Sequence, residues 1–231
     1  MNFLSHYYLD HQIDDSLFVV GACTPDLLSI FDRKIKFKER SVSKRVQNRE
    51  ITAEQLSFYQ GVIRHFQVDK LFHASDFFHT ETQQLGLDLR EAFPNKEIQR
   101  SFFVAHILLE LGLDRLLIQK DEGLLAQFYN HFERCTPQRI KKLTSWLAGD
   151  DALASYDAFL RKFTQDRHLY RYKDWSYIIY VLKRIMRRVG IFEYSYLDSR
   201  EFLTFLDAYE MDLGRRYEQV LQGFVHKLSA Q

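Results

Sequence analysis

Apolar residues in this chain recur at intervals of three and four. Phe58, Val62 and Phe66 lead along one helical stripe to Asp69 and His73, and Phe102, Phe103, His106, Glu110 and Leu113 form a second. The interval returns in Ile178, Leu182, Ile185 and Val189, and again in Phe202, Phe205, Leu206 and Tyr209. Near the start, Phe3, Leu4 and Tyr7 predict an amphipathic helix with His6 among them. Stop and start signals agree with the period. Thr52-Ala-Glu-Gln55 is a capping box for a helix running through His73, and Asn95 is placed to cap the helix that carries His106. Thr136-Pro137 sets a capping hydroxyl before a proline at the first helical position. Further helices are predicted at 121–134, 137–148, 151–165, 174–189 and 198–227.

Only three prolines and nine glycines punctuate the 231 residues, too few for the many tight turns of a β-rich fold. The prediction is therefore all-α, a single compact multi-helix domain over residues 1–231. A hydrophobic fraction of 46% with 27% charged residues is that of a folded chain and excludes a disordered one. No apolar run approaches the ~20 residues of a membrane span. Cys23 and Cys135 are too few for a disulfide framework, and the first residues lack a secretory leader pattern, so the expected location is the reducing cytoplasm. A net charge of +1 gives no general attraction to nucleic acid. One segment is biased: residues 32–50 hold eight Lys or Arg against three Asp or Glu. Clustered cations at 33–49 form either a solvated face or a landing surface for an acidic partner.

The chemistry is concentrated in two phrases, His65-Phe-Gln-Val-Asp69 and His106-Ile-Leu-Leu-Glu110. Four residues is just over one helical turn, so each pair projects from one face with Cβ atoms about 5–6 Å apart. Each extends by four more, to His73 and to Asp114, so that two helices present strips of ligands toward each other. Imidazole and carboxylate together suit first-row divalent metals, and manganese, iron and zinc all remain open. Such a cation lowers the pKa of water and polarises a phosphoryl oxygen. The bland alternative is a hydrogen-bonded polar network, with salt bridges to Lys70 and Arg115 compensating the buried carboxylates. His11, His79, His131, His168 and His226 have no comparable partners and are assigned to surface or core.

The opening Asn2-Phe-Leu-Ser-His6, then Gly61, His65 with Val68-Asp69, and the later His106 resemble the acyl-carrier-protein phosphodiesterase family. The resemblance extends to Trp175–Arg188 and so spans most of the chain through short motifs. It departs at Phe72-His73, where the family has Thr-Asp, and at Ala105, where it has aspartate; His73 and Glu110 are then the substitutes for the missing ligands. Gly21 to Pro25-Asp26, with His6, His65/Asp69 and His106/Glu110, is also similar to the zinc-dependent phospholipase C and single-strand nuclease superfamily. Secreted members of that group use an N-terminal amine as a ligand, an arrangement not implied here. The two resemblances together imply an HD-domain-like or phospholipase C-like bundle. They also imply a metal-dependent phosphodiesterase with His6, Asp26, His65, Asp69, His73, His106, Glu110 and Asp114 as ligands and Asp69 and Asp114 orienting the metals. Asp26 has a second reading, a carboxylate at a helix start behind Thr24-Pro25.

The substrate this implies is the phosphodiester between a phosphopantetheine arm and a carrier-protein serine, with segment 33–49 meeting the acyl carrier protein. Arg184, Arg187 and Arg188 either line the phosphate or complete the end of their helix. Alternatives are a phospholipase C- or nuclease-like phosphodiesterase and a helical binding protein without catalysis.

Overall fold

The computed structural model describes residues 1–47 and 50–229. They are all-α: twelve α-helices, three short 3-10 turns and, among the described residues, no strand. The chain divides into two compact units, each built from two separated segments.

The first unit comprises Met1–Lys70 and Asp121–His168. It holds α1 (Phe3–Leu9), α2 (Ser16–Phe31), α3 (Glu39–Val46), most of α4 (Ala53–His73), α7 (Glu122–Arg134), α8 (Pro137–Ala148) and α9 (Tyr156–Asp166). The predicted capping box is present at α4, where Thr52 N donates to Gln55 Oε1 (2.9 Å) and Gln55 N donates to Thr52 Oγ1 (3.2 Å). Arg139 N likewise donates to the Thr136 hydroxyl at α8. A seven-residue helix such as α1 is unstable alone, so packing must hold it. Phe3 sits against Phe128 and Phe163, and the Tyr7 ring meets Phe128 edge-on. Tyr7 Oη and Ser16 Oγ take the two nitrogens of His131, which is buried between them. That anchoring fixes the face carrying His6.

Two glycines set a close helix contact in this unit. A Cβ at Gly21 would lie 2.1 Å from the Phe58 carbonyl oxygen, and one at Gly61 would lie 2.0 Å from that of Phe18. Helices α2 and α4 therefore touch backbone to backbone, which any side chain at either position would prevent. Pro25 lies inside α2 rather than at a helix start, contrary to the reading of Thr24-Pro25 as a boundary. Its ring removes one intrahelical donor and crowds the preceding turn, and Thr24 Oγ1 donates to the Val20 carbonyl alongside.

The second unit comprises Leu71–Lys120 and Leu169–Gln231. It holds the last turn of α4, α5 (Asp76–Ala92), α6 (Ser101–Lys120), α10 (Trp175–Arg188), α11 (Arg200–Gly214) and α12 (Tyr217–Ser229). Helix α6 begins at Ser101, not after Asn95. Lys96 N donates to the Phe93 carbonyl in a turn there, and Arg100 adopts a left-handed φ of 51° before the helix starts. The stretch predicted as one helix over 198–227 breaks after Gly214, where Arg215 and Arg216 close back on Asp212 and Leu213 with tighter bonds. Similarly, 151–165 opens with a 3-10 turn (Asp151–Leu153) before α9.

Candidate metal centres

In the first unit His6 from α1, Asp26 from α2, and His65 with Asp69 from α4 converge. One ligand atom from each of His6, Asp26 and His65 lies within 4.8 Å of the others. The rings of His6 and His65 stack with centroids 4.3 Å apart. Asp69 Oδ1 is 3.2 Å from His6 Nε2, while its Oδ2 is 3.6 Å from His65 Nε2. Asp26 Oδ1 is 3.9 Å from the same His65 nitrogen. The Met1 amino group donates to Asp69 Oδ1 at 2.9 Å.

The orientation of His65 follows from the glycine contact. Gly61 lies one turn before it and Gly21 lies beside Ala22, so His65 Nδ1 reaches the Ala22 carbonyl oxygen at 2.9 Å. A carbonyl only accepts, so Nδ1 carries the hydrogen and the lone pair of the neutral ring lies on Nε2. That lone pair faces two carboxylates, an arrangement satisfied by a proton on Nε2 or by a cation. A backbone carbonyl on the far nitrogen is the usual support of a metal-bound histidine. Burial, reinforced by the adjacent His65, pushes the His6 imidazole down to about 4, so it is neutral at physiological pH and available as a ligand. Burial alone would raise the Asp69 carboxyl, but the His6 hydrogen bond and the Met1 ammonium hold it far below the ordinary range. The donor set of neutral imidazole and ionised carboxylate fits a divalent first-row cation.

The second unit contains a separate group. His73 Nε2 lies 3.2 Å from His106 Nε2 and 3.3 Å from Glu110 Oε1, and His106 Nε2 lies 2.9 Å from the same oxygen. Burial would raise the Glu110 carboxyl; the hydrogen bonds from His106 and His73 help to hold it well below its usual value.

The sequence-predicted ligands are thus gathered by a different rule from the facing strips. His65 and Asp69 associate with His6 and Asp26, whereas His73 on the same helix joins His106 and Glu110. Asp114 is fully buried and is not among the three residues of either group. Arg115 does not compensate these carboxylates: its guanidinium pairs with Glu210, donates to the Tyr172 and Lys173 carbonyls, and stacks on Trp175. Arg184 lies over Tyr180, and Arg187 engages both the ring and the hydroxyl of Tyr194. Three contributors escaped the sequence reading: the Ala22 carbonyl, the Met1 amino group that donates to Asp69, and Phe78, whose ring packs edge-on against both His73 and His106. Gly21 and Gly61 were the signal for the first, since glycine within a helix marks close backbone approach. Phe78 gave no signal, being one phenylalanine among twenty.

No protein-family model, curated protein or solved structure matches this chain. Among the described residues no helix is long and apolar enough to cross a membrane.

Proposed function

We propose that this protein is a metal-dependent phosphodiester hydrolase whose principal cation is held by His6, Asp26, His65 and Asp69. The observation that carries this reading is the position of Asp69, with one carboxylate oxygen on each of two buried imidazoles and Asp26 converging on the second. A divalent cation bound there supplies the means to activate water and to polarise a phosphoryl oxygen. The protein's part is to keep His6 neutral by burial, to fix His65 through Ala22, and to hold Asp69 ionised. Both carboxylates are about one-third exposed, so a phosphodiester has an approach from their side while the imidazoles stay buried.

Within this reading the substrate is the phosphopantetheine–serine diester of an acyl carrier protein in the cytoplasm. Lys34, Lys36, Lys38, Arg40 and Lys44 are exposed along the loop and helix α3, a basic strip that complements an acidic carrier. Arg49 lies outside the described residues.

The test uses a generic bis-aryl phosphate and phosphopantetheinylated carrier protein, each with chelator and with metal restored. Asp69→Asn is expected to lower hydrolysis of both by more than about 100-fold with helix content intact, since losing a ligand exceeds the 10–100-fold typical of a supporting residue. Lys36→Glu with Lys38→Glu should slow only the carrier-protein reaction, and less so at high salt. Full activity in Asp69→Asn, or indifference to chelator, would refute the proposal.

A further inference from the structure

The group in the second unit carries a conclusion of its own. Its three ligand atoms form a triangle with edges of 3.2, 3.3 and 2.9 Å. Hydrogen bonding meets at most two edges of this triangle. One proton can lie between each ring nitrogen and Glu110 Oε1, but then two N–H groups confront each other across 3.2 Å. Removing either proton leaves a lone pair facing the same oxygen. A single cation satisfies all three edges at once. With metal–ligand bonds of about 2.0–2.2 Å, these separations correspond to ligand–metal–ligand angles of about 85–110°. Those angles place three donors on one face and leave the opposite positions open.

The surroundings fit such a centre. Phe78, itself buried, sets its ring 4.8 Å from that of His73 and 4.9 Å from that of His106, nearly perpendicular to both. Phe78 is backed in turn by Phe72. The imidazoles are therefore packed in place from one side, while His73 remains 34% and His106 26% exposed on another. All four residues belong to one unit.

We infer that His73, His106 and Glu110 constitute a second metal centre, a two-histidine, one-carboxylate face loaded independently of the His6–His65 group. Two nitrogen donors select a first-row transition ion such as zinc, cobalt or iron(II) over magnesium or calcium, which prefer all-oxygen sets. The inference does not rest on the phosphodiesterase reading.

Its test reads metal content rather than turnover. Full-length protein is stripped with chelator, reloaded with zinc or cobalt(II), freed of unbound ion and assayed by elemental analysis, with circular dichroism as a check on folding. His73→Ala and Glu110→Gln should each bind one equivalent fewer than the wild type, and the cobalt form should lose the visible absorption contributed by this centre. His6→Ala should leave that absorption in place. The inference is overturned if either well-folded variant retains the wild-type metal content, or if losing His73 empties both groups together. Should His73→Ala fail to fold, the near-isosteric Glu110→Gln decides the matter alone.

Discussion

The His6–His65 group and the His73–His106 group use the same chemical types but are built in opposite ways. In the first, both imidazoles are about 3–4% exposed, and the orientation of His65 is set by a backbone carbonyl across a helix contact that two glycines allow. In the second, both rings are open to solvent on one side and an aromatic ring steadies them from the other. Backbone proximity fixes a tautomer and allows burial to adjust protonation. Aromatic packing fixes only direction, and would leave any bound cation open to exchange on the solvent side. The first arrangement costs sequence freedom at two glycines; the second depends on one phenylalanine.

The most severe way to separate the two is Gly61→Ala. In an unconstrained helix alanine is better than glycine by about 1 kcal/mol. Here its Cβ would sit 2.0 Å from a backbone oxygen that cannot step aside, so the change should cost about 3 kcal/mol or more. Denaturant unfolding measures that loss. Cobalt spectroscopy on the folded fraction should show the first group disturbed and the second preserved; a neutral or stabilising result would mean that the helices are not in contact there.

Acid offers the next largest difference. Folded His6 takes its proton only near about 4, against 6.5 in the unfolded chain, so between those values the unfolded state binds more protons. Stability of the metal-free protein should thus fall as pH drops from about 6.5 to about 4, by about 3 kcal/mol at most. Asp69 has a depressed carboxyl, so its contribution is present above the ordinary carboxylate pKa of 3.8 and fades only as pH falls below it. Unfolding midpoints measured along this range should flatten in His6→Gln; an unchanged slope would remove His6 as their source.

The smallest expected effect belongs to the open group. Phe78→Leu keeps apolar bulk but loses the edge-on contact, and should weaken metal binding at His73–His106–Glu110 by about tenfold, the low end of what supporting residues contribute. Isothermal titration with zinc against the wild type would detect this, and equal affinities would leave Phe78 a core residue only.

Features encoded within one turn of chain were legible in the sequence. Thr52 with Gln55, and Thr136 with Pro137, form their caps from neighbouring atoms and needed nothing distant. Where a distant contact competed, local signals failed: Pro25 is carried inside α2, whose flanking turns are seated against α4 at Gly21. Asn95 did not cap α6 because Phe93 and Lys96 close a turn around it. The same limit governs the ligands. The four-residue pairs were evident from helical geometry, yet eight residues advance a helix by about 80° beyond whole turns, enough to turn His73 away from the face of His65. Its companionship with His106 and Glu110 is a tertiary fact.

The seating of α2 on α4 through bare backbone leaves the chain no intermediate way to relax. When that pair of helices parts, the Ala22 oxygen leaves His65, and Asp26 withdraws from the same imidazole. Release of a bound ion and local opening of the polypeptide would then be one equilibrium, and slowed amide exchange along both helices on metal addition would be its direct signature.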